Sequence, residues 1–151
     1  MLSLMWQKRW KSWERLWNFD FIKSEKLKIW KPENSQIQLE PTLQLPVQKK
    51  PEDGPGDFDP KEITTEQILA GILTVLAYDK KNQNLDYYRS ILKKARPNIK
   101  AELCEAAILK TKNEDFDLAE EIFLALHGFD PEDEAIILNM ALFLDQRAES
   151  Y

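Results

Sequence analysis

Two side chains in this 151-residue chain could open nucleophilic or metal chemistry, Cys104 and His127, and each type occurs only once. A covalent catalyst needs a base beside its nucleophile, and a His/Cys metal site needs three or four ligands. Neither requirement is met by a single cysteine and a single histidine on separate helical stretches. Cys104 stands in an apolar helical stretch and is expected as a packed or groove-lining thiol. His127 falls at a helix C-terminus, where its ring can meet the last carbonyls. The acidic run Asp130, Glu132, Asp133 and Glu134 lacks a calcium-loop spacing and suits helix capping instead. With only four glycines, and no Walker loop or nucleophile elbow, the chain is expected to be non-enzymatic, with no cofactor and no metal. The lone cysteine also excludes an internal disulfide.

What remains is the chemistry of recognition, and tryptophan carries most of it. Trp6, Trp10, Trp13 and Trp17 recur at spacings of four, three and four. At 100° per residue they fall in a stripe about 60° wide on a helix. Leu2 and Phe21 extend the stripe, and Lys8, Lys11 and Arg15 lie on the other side. Residues 1–22 therefore predict one amphipathic helix within a basic arm, residues 1–30. Three uses suit such an arm: insertion into a protein partner, contact with a membrane surface, or packing on the rest of the chain. The aromatics form one stripe rather than an interleaved platform, so no nucleic-acid partner is expected.

Charge separates this arm from the body. Residues 1–31 carry eight Lys/Arg against three Asp/Glu, residues 32–59 two against six, and residues 60–151 eleven against seventeen. Blocks of opposite sign point to different partners. Residues 31–59 hold five prolines and form a linker, because proline forbids a sustained helix. Ile37, Leu39, Leu43, Leu45 and Val47 occupy odd positions there. That alternation fits an extended tether lying against a surface, and the alternative is plain disorder.

Residues 60–151 carry helical signals. Thr64 with Gln67 forms a capping-box pattern ahead of an apolar run. Pro97 and Pro131 are each placed in the first turn of a further helix, with Asp130 as N-cap of the last. Five helices fit, at about 65–79, 83–95, 98–112, 116–127 and 131–147, with short antiparallel connections.

Pro97 and Pro131 are separated by about 34 residues, a period that holds one pair of helices. Within that period Leu103 fills a large apolar slot, Ala107 and Ala119 are small crossing residues, and Phe123 is an aromatic wedge. Phe129-Asp130-Pro131 closes the unit. This combination resembles a tetratricopeptide repeat, most closely over residues 100–131 and less over 66–97 and 132–151. Leu85 and Arg89 depart from the pattern, with Tyr88 one place away from the usual aromatic position. The resemblance implies an all-α fold: a helix-pair solenoid of about two and a half repeats over residues 60–151, behind a Pro-rich extended linker and a Trp-rich helix. It further implies that the first helix of each unit lines a groove. The lining would include Gln67, Ala70, Thr74 and Ala77, then Ala101, Cys104, Ile108 and Thr111, then Ala135, Leu138, Leu142 and Asp145. Such a lining lacks the cationic clamp of the family's carboxylate readers and suits an apolar helix or an extended segment. Leu138, Leu142 and Phe143 should be under-covered at the open end of the stack.

The expected role is a protein–protein interaction module, an adaptor or scaffold subunit that docks through the groove and the tryptophan arm. The alternative is a peripheral membrane protein held by residues 1–22. No apolar run reaches the length of a membrane span, and the N-terminus makes a poor signal peptide. A cytoplasmic location follows as an expectation, with or without contact at the membrane surface. A second copy or a longer repeat array would each cover the open end. An organelle transit peptide is the remaining reading of the acid-poor N-terminus.

Overall fold

The computed structural model describes residues 19–23, 42–48 and 63–150. Five helices make up most of these: α1 (Thr65–Tyr78), α2 (Leu85–Ala95), α3 (Ile99–Lys112), α4 (Phe116–Phe129) and α5 (Glu134–Glu149). Two short strands, β1 (Phe19–Lys23) and β2 (Gln44–Gln48), pair antiparallel, with Phe19 opposite Gln48 and Lys23 opposite Gln44.

The helices begin where side chains can satisfy their first N–H groups. Thr64 accepts from Gln67 N–H at 3.3 Å, and the Gln67 side chain accepts from Thr64 N–H at 3.0 Å. This is the expected capping box. At α5 the cap differs from the expected Asp130. Asp133 accepts from Ala135 N–H at 2.9 Å and Ile136 N–H at 3.3 Å, so the helix starts at Glu134. Pro131 and Pro97 both lie in the turns ahead of their helices rather than inside the first turn. Asp130 instead accepts a hydrogen bond from Lys100 Nζ at 2.8 Å.

The expected helix over residues 1–22 is overturned at its C-terminal end, because residues 19–23 form a strand. Backbone pairing with residues 44–48 supplies ladder hydrogen bonds that a helix end would leave open. The remaining helix expectation, with Trp6, Trp10, Trp13, Trp17, Lys8, Lys11 and Arg15, lies outside the described residues, as do Ile37 and Leu39.

β2 is built into the body. Leu45 and Val47 are fully buried, and Pro46 is buried between them. Pro46 has no N–H, so it fits only where the backbone donor would point away from β1. Gln44 and Gln48, two residues to either side, share that orientation. Their carbonyls accept from the Tyr88 hydroxyl at 2.8 Å and from Gln67 Nε2 at 3.2 Å. Gly71 admits the strand, since a Cβ there would overlap the Pro46 carbonyl.

α1 is buried on all sides between β2 and α4. Gln67, Gly71 and Thr74 meet the strand, while Leu76 on the other side meets Gly128 of α4. A Cβ at Gly128 would overlap the Leu76 carbonyl, so this glycine sets the spacing of α1 and α4. In a strictly sequential stack α1 would lie chiefly on α2. Here its larger helix contact is with α4. Arg89 of α2, where the repeat pattern has an aromatic, donates from Nε to the Gly128 carbonyl at 2.8 Å. The side chains that depart from the pattern, Tyr88 and Arg89, thus hold β2 and the end of α4.

Candidate functional site

The candidate site is a surface of α3 and α5, and α4 positions it. Leu103 and Ala107 of α3 pack with Ala119, Ile122 and Leu126 of α4 in one continuous core, and Phe123 is buried beside them. α5 returns along α4 through Ile136 and Phe143. The Phe143 ring lies 5.2 Å from that of Phe123 and 6.2 Å from that of Phe116. Arg147 closes the same edge by pairing with Glu120 and with Asp117. Phe143, expected to be under-covered, is therefore buried, because its spacing from Ile136 and Arg147 turns it toward α4.

Lys100 ties the start of α3 to the start of α5. Its ammonium pairs with Asp130 at 2.8 Å and also with Asp133. These hydrogen bonds, Asp130 first, raise the Lys100 pKa above the ordinary lysine value. The Lys100 ammonium in turn holds the Asp133 carboxyl below the usual carboxylate range, helped by the backbone N–H of Ile136. With α4 antiparallel to both neighbours, α3 and α5 run side by side in the same sense from this tie. Cys104 and Ile108 then stand one repeat period before Leu138 and Leu142, with one helical turn between the members of each pair.

The expected groove residues separate into two groups. On α1, Thr74 is buried, as are Gln67, Ala70 and Ala77. The Thr74 hydroxyl faces Gln48 Oε1 at 3.3 Å and the Ala70 carbonyl at 2.9 Å. Thr74 is therefore corrected from a docking residue to a core residue, because β2 already occupies that side of α1. Thr111 is also buried and bonds back to the Ala107 carbonyl. On α3 and α5 the lining stays open. Ala101 is exposed, Cys104 is partly exposed, and Ile108, Leu138 and Leu142 are 44%, 61% and 58% exposed.

Burial raises the Cys104 thiol pKa, with Asp133 adding to the effect. The thiol is thus neutral near pH 7 and behaves as apolar lining rather than as a nucleophile. His127 departs from its expected contact with helix-end carbonyls. Its Nδ1 is buried with no hydrogen-bond partner among the described residues. No group of three or more metal-binding side chains is gathered among the described residues. Among them, too, no helix is long and apolar enough to cross a membrane.

A second open stripe escaped the sequence reading. Ile137, Ala141, Leu144 and Ala148 follow one another at spacings of four, three and four along α5, and all are exposed. The signal was present in the repeat period. Ile137 and Ala141 correspond to Leu103 and Ala107, which on α3 receive α4. Beside both stripes the exposed charges of α3 and α5 are mostly acidic: Glu102, Glu105, Glu134, Asp145 and Glu149 against Lys112.

No family model, curated protein or solved structure matches the chain.

Proposed function

We propose that the chain is a non-enzymatic interaction module, an adaptor or assembly subunit with a tetratricopeptide-like pair of helices at its centre. The observation that carries this reading is the open apolar lining of α3 and α5. Ile108, Leu138 and Leu142 stay exposed on helices whose other faces are packed. Contiguous exposed apolar surface on a folded domain marks an interaction site. The lining offers no cationic side chain to clamp a carboxylate, and its acidic surroundings favour a partner with basic flanks. An apolar helix or an extended segment of a protein partner fits it.

The test is affinity capture with the full chain and with a Leu138→Glu/Leu142→Glu variant. A partner held by the wild type and lost by the folded variant supports the reading. A partner held equally by both removes the groove from it.

A second reading rests on the basic Trp6–Trp17 stripe, which suits an anionic membrane surface at the cytoplasmic face. Co-sedimentation with vesicles containing phosphatidylserine tests it. Binding that survives replacement of all four tryptophans by alanine would exclude this anchor.

A further inference from the structure

The outer stripe of α5 is a helix-receiving surface without a described helix on it. On α3, Leu103 and Ala107 present a large and a small side chain one turn apart, and α4 crosses there with both fully covered. On α5 the equivalent Ile137 and Ala141 are continued by Leu144 and Ala148, yet Ile137 is 47% and Leu144 53% exposed. A small residue between large ones is the shape that admits a crossing helix. The missing element is therefore a helix with an apolar stripe of comparable length.

We propose that residues 1–18 of this chain are that helix, with Trp6, Trp10, Trp13 and Trp17 seated along Ile137, Ala141, Leu144 and Ala148. Three observations select this occupant. Both stripes have the spacing four, three, four and so extend over the same number of turns. As helices, the 18-residue arm and the 16-residue α5 would be about 27 Å and 24 Å long. The charges are complementary: Lys8, Arg9, Lys11 and Arg15 on the arm meet a surface flanked by Glu134, Asp145 and Glu149. A second copy of α5 would bring those same three carboxylates against their own kind, which disfavours it. The stripe differs from the Leu138/Leu142 groove, so this occupant and the groove partner can fail separately.

The experiment uses full-length protein with Trp6, Trp10, Trp13 and Trp17 replaced by alanine, and a fluorescein-labelled synthetic peptide of residues 1–18. Anisotropy should show the peptide binding this variant. Binding to wild-type protein should be at least about tenfold weaker, because its own tethered arm competes at an effective concentration near the millimolar range. Adding Ile137→Glu and Leu144→Glu to the tryptophan-free protein should abolish binding, whereas adding Leu138→Glu and Leu142→Glu should not. Circular dichroism confirms that each variant is folded. As a second measurement, tryptophan emission of otherwise wild-type protein should shift to the red in Ala141→Arg, a change at an exposed position. The proposal is overturned by a peptide that ignores the tryptophan-free protein or binds the Ile137→Glu/Leu144→Glu form equally. A peptide that partitions only into anionic vesicles, or an emission unmoved by Ala141→Arg, overturns it as well.

Discussion

Leu103 and Ala107 on α3 stand one repeat period before Ile137 and Ala141 on α5, and the two pairs share a shape but have opposite surroundings. The first pair is sealed by α4 and belongs to the core. The second is open, although α5 itself is firmly anchored through Ile136 and Phe143 on its other side. The difference shows how one amphipathic pattern serves two purposes. Where a neighbouring helix arrives, the pattern stabilises the fold; where none is described, it becomes a surface that can recognise one. α5 is apolar on more than one side, as a helix inside a stack must be.

The comparison breaks first if α5 is not anchored as described. Phe143→Ala should lower unfolding free energy by about 3–5 kcal/mol, because it removes a buried ring between Phe116 and Phe123. Urea denaturation followed by circular dichroism reads this, and a change near zero would detach α5 from the core. The contrast between the pairs is sharpened in the protein lacking the four arm tryptophans. There Leu103→Ala should cost about 2–5 kcal/mol. In the same background Ile137→Ala should cost less than about 0.5 kcal/mol. Equal costs would mean that something other than the arm covers α5.

Next in size, Gly128→Ala should destabilise by about 1–3 kcal/mol, since the added methyl must push α4 away from the Leu76 backbone. The smallest effect concerns the tie between α3 and α5. Asp133 has a lowered folded pKa, so its contribution is present above the ordinary carboxylate value of about 3.9 and is lost as pH falls through the lowered value. Lys100 has a raised pKa, so its share is lost only as pH rises through that value, above the ordinary lysine range. Asp133→Asn should therefore flatten the acid side of the stability profile while leaving pH 6–8 thermal unfolding cooperative. A wild-type acid limb unchanged by this substitution would remove the Lys100–Asp133 tie.

Much of the helical body was legible because its signals are local. Thr64 and Gln67 cap α1 with side chains three residues apart, and all five helices lie close to their expected bounds. The α5 cap was misassigned because Asp130 and Asp133 both carry suitable carboxylates; Lys100 engages both, and only Asp133 reaches the first N–H groups. The exposed half of the candidate site, Ile108, Leu138 and Leu142, followed from the repeat period. Thr74 satisfied the same period and was still lost to the core, because a strand from earlier in the chain covers it through Gln48.

The amino-acid sequence by itself determined the helices, the opposed charge of arm and body, and the apolar stripes that repeat along α3 and α5. Each depends on residues within a few turns of one another. Only the tertiary structure decided which stripe is covered. The close approaches at Gly71 and Gly128 place β2 and α4 on opposite sides of α1. The turn of Phe143 toward Phe123 leaves the outer side of α5 open. Burial is a property of where distant segments meet, and a periodic stripe carries no record of which segment will reach it.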